Sequence, residues 1–234
     1  MQGNIYSSTG MSVAQENSLI RTVYNWMMFG LFVSGFTAYF AAHNYTLQRI
    51  LFGNPITIWI LFIGELGLVF AISGGARSMT ASTASAMFFV FSLLNGLTIS
   101  SIFLIYTAQS IAATFFVAGL TFGVTSFYGY VTKTDLTSWG KYLIMGLIGI
   151  IIASVVNIFL HSPTVSWLVS YLGVFLFIGL TAYDTQKIRE MGARMGNGDS
   201  ELFGRIAIIG ALSLYLDFIN LFLMLLRIFG RGRD

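Results

Sequence analysis

The sequence predicts an all-α integral membrane protein with seven transmembrane helices and little mass outside the bilayer. Of its 234 residues, 56% are hydrophobic and only 9% are charged, whereas a soluble domain carries about 25% charged residues. Too few polar side chains are present to cover a water-soluble globule of this size, so lipid must face much of the surface. The apolar runs are also continuous, whereas a membrane β-barrel shows stretches of about ten residues that alternate apolar and polar.

Seven apolar segments carry this prediction, because each is close to the ~20 residues that a helix needs to cross the hydrocarbon core. The breaks between them are short, and the longest is a loop at 186–205 that contains Gly192, Gly196 and Gly198. No connection is long enough for a folded soluble domain, so we expect residues 21–234 to form one transmembrane domain. The predicted spans are 23–42, 56–72, 84–106, 111–131, 142–160, 165–183 and 206–229.

The first 20 residues are polar and rich in serine, asparagine and glutamine. They lack the charged start, short apolar run and cleavage site of a signal peptide. We therefore expect residues 1–20 to form a retained, loosely ordered tail on the cytoplasmic side.

The distribution of lysine and arginine predicts a multi-pass topology with the N-terminus in the cytoplasm. In that orientation the opposite side carries only Arg49, apart from three arginines of the C-terminal tail, which leave the side of the tail open. A close contact between helices is also expected at Gly119-x-x-x-Gly123. The eight basic residues on the cytoplasmic side are Arg21, Arg77, Lys133, Lys141, Lys187, Arg189, Arg194 and Arg205.

A polar stripe marks the last predicted helix. Ser213, Asp217 and Asn220 share one helix face, and Asp217 lies near the middle of the span. A carboxylate at mid-bilayer costs at least ~2.5 kcal/mol, so it usually has a partner or a function. The stripe predicts that this helix faces the interior of the bundle, where it forms either an ionisable site or a ladder of packing hydrogen bonds.

Asp184 lies at the cytoplasmic end of the sixth predicted helix, one turn before Lys187. By itself it is equally well explained as a solvated acid at the membrane interface. Because sequential antiparallel helices are often neighbours, we expect Asp184 to approach Asp217. Two carboxylates in one poorly solvated site cannot both ionise cheaply, which predicts a shared proton and hence a pH sensor.

Glu65 lies among apolar neighbours on the second predicted helix. It is therefore either protonated or satisfied by a partner from another helix. Arg77 follows the end of the same helix. Two interpretations remain open for it, a latch on an inward-facing carboxylate or an ordinary anchor at the cytoplasmic interface.

Several other functions are poorly supported. The sequence has no Walker motif, Rossmann fingerprint or zinc-ligand spacing, its two histidines are far apart, and no basic run is long enough to bind nucleic acid. We expect no enzyme activity, no cofactor and no nucleic-acid partner. An intramembrane aspartyl protease is the weakest alternative. That class has a motif like Gly-x-Gly-Asp at its second aspartate, whereas this chain has Leu214-Tyr215-Leu216-Asp217.

Two segments carry a resemblance to a known family. Residues 179–187 (Gly-Leu-Thr-Ala-Tyr-Asp-Thr-Gln-Lys) and 212–222 (Leu-Ser-Leu-Tyr-Leu-Asp-Phe-Ile-Asn-Leu-Phe) look like the two signatures of the Bax-inhibitor (transmembrane Bax inhibitor motif) family. Gly96-Leu97-Thr98 and residues 130–136 add to the likeness, which is strongest to bacterial members.

The resemblance implies a bundle of six helices around a central C-terminal seventh, in the bacterial inner membrane. It also implies a pH-sensitive leak for calcium or another cation, with Asp184 and Asp217 as proton sensor and cation contact. Arg77 is the nearest match to the family's latch arginine, and Glu65, Asn220 and Ser213 complete the expected ion pathway. Some bacterial members are linked to a membrane-bound AAA protease, so a non-transporting regulator of such a protease is the alternative.

Overall fold

The computed structural model describes residues 3–75, 79–194 and 200–233, and it describes side chains from residue 14 onward. Within these residues the chain is helical and forms no strand, apart from one isolated antiparallel bridge between Tyr106 and Gly232. The helices are α1 (Gly3–Ala42), α2 (Tyr45–Phe52), α3 (Pro55–Gly74), α4 (Ala81–Ile99), α5 (Ile102–Ile105), α6 (Ala108–Val131), α7 (Thr137–Leu160), α8 (Pro163–Arg194) and α9 (Ser200–Phe229).

In the described part of the chain, six helical stretches are long and apolar enough to cross a membrane. They are α3, the combined stretch of α4 and α5, α6, α7, α8 and α9. The predicted all-helical membrane fold is confirmed to this extent. The first predicted span, 23–42, lies within α1, which is not among the six.

The N-terminal segment differs from its prediction. Residues 1–20 were expected to be loosely ordered, but the backbone is helical from Gly3 onward, while residues 1 and 2 lie outside the described range. The reason is tertiary contact: Leu19 is fully buried, and Glu16 forms an ion pair of 3.5 Å with Arg189. A helix that is anchored in this way propagates at little cost per added residue.

The predicted long loop at 186–205 is also largely helical. Helix α8 continues to Arg194 and α9 begins at Ser200, and only residues 195–199 between them lie outside the described range. Glu190 and Arg194 pair at 3.3 Å one turn apart along α8. The sequence predicts a loop here because the apolar residues stop where the charged residues begin, although both helices continue into the charged segment.

Polar residues cap the helices that begin at the short breaks. The Oδ1 of Asn54 accepts a hydrogen bond of 2.9 Å from the backbone of Ile56, and Pro55 occupies the first turn of α3. Thr80 caps α4 in the same way, with a bond of 3.1 Å from the backbone of Thr83. Each cap satisfies a backbone donor that has no partner inside its helix.

Packing divides the chain into two compact units. The first unit comprises Met1–Ile105 and Ile188–Tyr215, and the second comprises Tyr106–Lys187 and Leu216–Asp234. In the first unit, α1 and α4 approach closely at Gly96, where a Cβ atom would lie 2.6 Å from the carbonyl oxygen of Ser34.

In the second unit, α6 and α8 approach closely at Gly129, where a Cβ atom would overlap the carbonyl oxygen of Ala182. The contact expected at Gly119 and Gly123 is wrong, because a Cβ atom at either position would meet nothing within 4 Å among the described residues. Both glycines are exposed. A Gly-x-x-x-Gly spacing fixes a shared helix face but not the direction in which that face points.

Burial differs strongly among the spans. No residue in the most apolar stretch of α7 is buried, whereas 67% of the residues in the most apolar stretch of α9 are buried. The exposed side chains of α7 include Ile148, Ile151 and Ile152, which are suited to lipid. The sequence expectation that the last helix faces protein is therefore consistent with the burial of α9.

Candidate functional site

The second unit holds the two acids of the predicted sensor. Asp217 on α9 is 4% exposed, and its Oδ2 atom has no hydrogen-bond partner among the described residues. Asp184 on α8 is half-buried, and it interacts electrostatically with both Lys187 and Asp217. The two carboxyl groups therefore act on each other electrostatically, as their expected approach requires.

The chemistry of this pair suits a proton better than a tightly held metal ion. Two carboxylates supply at most four oxygen atoms, whereas a Ca²⁺ site uses about six to eight. In the described ranges, no cluster of three or more histidine, aspartate or glutamate side chains could hold a metal. The predicted cation contact at Asp184 and Asp217 would need oxygen atoms from other sources, such as backbone carbonyls or water.

Glycines on two neighbouring helices fix the segment of α8 that carries Asp184. Gly129 on α6 lies against the backbone of Ala182. On α7, a Cβ atom at Gly140 would lie 2.6 Å from the ring of Tyr183. These two contacts on consecutive residues hold α8 in position immediately before Asp184.

Hydrogen bonds hold the residues that follow Asp184. Thr185 on α8 and Ser126 on α6 join through their hydroxyl groups at 2.8 Å. Gln186 is 4% exposed; its amide donates to the carbonyl oxygen of Thr134 and accepts from the backbone of Leu136, each at 2.8 Å. Residues 182–186 therefore attach α8 to α6, to α7 and to the connection between them.

Glu65 belongs to a buried polar chain in the first unit. It is 8% exposed and accepts hydrogen bonds from Asn95 Nδ2, at 2.9 Å, and from the Thr98 hydroxyl. The Tyr215 hydroxyl donates to Asn95 Oδ1 at 2.8 Å and lies 2.6 Å from the hydroxyl of Ser34. Of the two sequence alternatives for Glu65, the structure shows a partner from another helix.

Sequence reasoning missed the partners of Glu65, although a signal was present. Asn95 and Thr98 are polar residues inside an apolar span, and their spacing of three places them on one face of α4. Such a pair indicates that a polar group from another helix lies opposite. Ser34 and Tyr215 carry the same kind of signal on α1 and α9, but their separation in the sequence hides the connection.

The remaining predicted residues take varied positions. Ser213 and Asn220 are half-buried, and the amide of Asn220 donates to the carbonyl oxygen of Leu216 in its own helix at 2.8 Å. Arg77 lies outside the described residues, so its role as a latch stays a prediction.

The chain that follows Arg77 is held by the start of α9. Arg205 donates to the carbonyl oxygen of Met79 at 3.3 Å, and Glu201 accepts from the backbone of Ala81 at 2.8 Å. Both partners belong to the first unit, so the first turns of α9 fix the entry to α4.

The fold and the site define a class, a helical protein with membrane-spanning stretches and buried acids. The family model described as "Inhibitor of apoptosis-promoting Bax1" matches residues 16–234. The inner membrane protein YbhL of Escherichia coli is 46% identical over 226 residues, which cover 95% of this chain and 97% of the relative. An uncharacterised protein of Borreliella burgdorferi is 47% identical over 219 residues, or 94% of each chain. One of Rickettsia prowazekii is 42% identical over 212 residues.

The chain therefore belongs to the Bax-inhibitor family. The match covers both segments that resembled the family, residues 179–187 and 212–222, so the resemblance drawn from the sequence is confirmed.

Proposed function

We propose that this protein is a pH-sensitive leak for cations, with calcium as the expected ion, and that Asp184 and Asp217 form its proton sensor. The observation that carries the proposal is the buried pair: Asp217 Oδ2 has no hydrogen-bond partner among the described residues, and Asp184 acts on it electrostatically. A second carboxyl group beside a buried, unpartnered oxygen favours a shared proton. Loss or gain of that proton changes the repulsion between α8 and α9.

The proposal places the protein in the inner membrane of a bacterium, with seven spans and a cytoplasmic N-terminus. The relative YbhL is an inner membrane protein by name, and six stretches have the length and composition of membrane spans. The seventh span is 23–42 within α1. The strong burial of α9 supports its place as the inner helix of the bundle.

A feature of the second unit supports a C-terminus on the outer side. The backbone of Thr107 donates to the carbonyl oxygen of Arg231 at 3.1 Å, and the backbone of Arg231 donates to Ser110 Oγ at 3.0 Å. The C-terminal tail therefore lies on the same side as the turn at 107–110. With three spans before that turn and a cytoplasmic N-terminus, both lie outside.

A calcium-flux assay on the purified protein in liposomes tests the proposed function. The parent should show a flux that changes between about pH 6 and 8, the range in which functional carboxylates are often tuned. Asp184→Asn and Asp217→Asn should each fold and lose most of that pH dependence. Asp135→Asn is the matched control, because it makes the same acid-to-amide change at an exposed residue whose carboxylate accepts only from Thr137 among the contacts described.

The same assay decides between the leak and the alternative. If both Asn variants leak with the pH profile of the parent, the aspartates have a structural role. If the parent shows no flux above empty liposomes, the proposal of a leak is wrong, and a non-transporting regulator of a membrane-bound protease becomes the better hypothesis.

A further inference from the structure

The buried chain around Glu65 has too few hydrogen atoms for its contacts when Glu65 is ionised. Five contacts join six groups in a row: Thr98 to Glu65, Glu65 to Asn95, Asn95 to Tyr215, Tyr215 to Ser34, and Ser34 to the carbonyl oxygen of Ser92. Each contact requires one hydrogen atom between its two heavy atoms. The number of hydrogen atoms available for these contacts therefore restricts the protonation state of Glu65.

In the arrangement with Asn95 Nδ2 toward Glu65, only four of the five contacts are satisfied. Thr98 and Asn95 each donate to Glu65, and the Tyr215 hydroxyl donates to Asn95 Oδ1. Ser34 then has one hydrogen for two contacts, one with Tyr215 at 2.6 Å and one with the Ser92 carbonyl at 2.7 Å. One pair of oxygen atoms is left at hydrogen-bond distance with no hydrogen between them, which is unfavourable in a buried site.

A proton on Glu65 supplies the missing hydrogen if the Asn95 amide turns over. A half-turn exchanges its NH₂ and C=O groups while keeping its shape. Protonated Glu65 then donates to Asn95 Oδ1, Asn95 Nδ2 donates to the Tyr215 oxygen, Tyr215 donates to Ser34, and Ser34 donates to the Ser92 carbonyl. Thr98 still donates to the second oxygen of Glu65, so all five contacts are satisfied.

We infer that Glu65 is a proton-binding site separate from the aspartate pair, and that its proton reverses a hydrogen-bond chain that runs through Asn95 and Tyr215 to Ser34. The site joins four helices of the first unit, α3, α4, α9 and α1. The protonation state of Glu65 thereby sets the orientation of the Tyr215 and Ser34 hydroxyl groups, which Glu65 does not contact. The inference rests on contacts within the first unit and does not depend on the proposed calcium leak.

The surroundings of Glu65 are otherwise neutral in the described part of the chain. Helix α4 presents Asn95 and Thr98, and α9 presents the titratable Tyr215, which feels the charge of Glu65. Helix α2 also packs on α3 and carries Arg49, but the ion pairs of the described residues join Glu16 to Arg189 and Glu190 to Arg194, and neither includes Glu65. A cation that would hold Glu65 ionised is therefore absent from its described neighbours.

Infrared spectroscopy of the purified full chain tests this inference. We expect the carbonyl band of a protonated carboxylic acid at pH 7, and this band should shift when the protein is labelled with ¹³C-carboxyl glutamate and disappear in Glu65→Gln. It should persist in the Asp184→Asn, Asp217→Asn double variant. Absence of a glutamate-sensitive band at pH 7 would overturn the inference, and the isotope label gives this answer even if the variants fold poorly.

A distant substitution tests the reversal of the chain. Ser34→Ala removes the acceptor that Tyr215 needs in the protonated state, so Tyr215 must donate to Asn95 and the amide must turn its NH₂ group toward Glu65. The proton affinity of Glu65 should fall about tenfold, the effect of one net hydrogen bond.

Ser92→Ala is the matched control for this substitution. The Ser92 side chain is as buried as that of Ser34, but its hydroxyl donates to Phe88 within α4 and takes no part in the chain. If Ser34→Ala and Ser92→Ala titrate alike, Glu65 does not communicate with Ser34 and the proposed reversal is wrong.

Discussion

At the scale of single residues, the surroundings of Glu65 are suited to a neutral group. A glutamine there offers an oxygen that accepts from Thr98 and an NH₂ group that donates to the turned amide of Asn95. We expect Glu65→Gln to be as stable as the parent or more so. Glu65→Lys adds a cation where the described neighbours are hydroxyl and amide groups, at a cost of at least ~2.5 kcal/mol.

Purified yield and thermal midpoint in detergent measure this difference. Glu65→Lys should show a clear loss of both relative to Glu65→Gln, which has nearly the same shape as the parent side chain. Equal stability of the parent and the Lys variant would mean that position 65 is in contact with water.

Single residues could be predicted in part from the sequence. The cost of a charge in a bilayer was enough to single out Glu65 and Asp217, and both are buried. The same argument could not name Asn95 as a partner of Glu65, because the two are 30 residues apart and meet only through the relative rotation of α3 and α4. That rotation depends on the whole set of packing contacts.

At the scale of helices, α6 offers a matched pair of glycines. A methyl group at Gly129 overlaps the backbone of Ala182, whereas one at Gly123 meets no described residue within 4 Å. Gly129→Ala should therefore force α6 and α8 apart and cost about 1–3 kcal/mol, the usual range for overpacking. Gly123→Ala should leave stability unchanged or slightly higher, since alanine favours helix by about 0.5–1 kcal/mol.

The thermal midpoints of the two variants give a direct comparison, because both make the same chemical change in the same helix. Gly129→Ala should also disturb the residues next to Asp184, so its calcium flux should change together with its stability. Two equal midpoints would show that the close approach at Gly129 is not needed for folding.

Helices were easier to predict than their contacts. Apolar runs identified the spans because about 20 apolar residues are needed whatever the neighbours are. The ends were missed where charge replaces hydropathy, as in the extension of α8 that carries Glu190 and Arg194. The contact at Gly119 and Gly123 was wrong because spacing along a helix does not reveal which face meets protein and which meets lipid.

At the scale of the whole molecule, the number of spans decides the topology. If α1 crosses the membrane, three spans precede the turn at 107–110, and Ser8 and Gln109 lie on opposite sides. If α1 does not cross, only two spans precede the turn, and Ser8 and Gln109 lie on the same side. The hydrogen bonds of Arg231 with Thr107 and Ser110 place the C-terminal tail with Gln109 in both cases.

Cysteine labelling of intact cells distinguishes these cases, and the chain has no cysteine of its own, so the parent is the blank control. We expect an impermeant reagent to label Gln109→Cys and Arg231→Cys, because both positions are exposed and follow an odd number of spans. Ser8→Cys and Gly198→Cys should react only after the cells are opened, as the eight basic residues of the cytoplasmic side predict.

Labelling of Ser8→Cys together with Gln109→Cys from outside would leave six spans and remove α1 from the membrane. Labelling of Gln109→Cys without Arg231→Cys would contradict the pairing of the tail with the turn, because two segments joined by backbone hydrogen bonds must face the same solution.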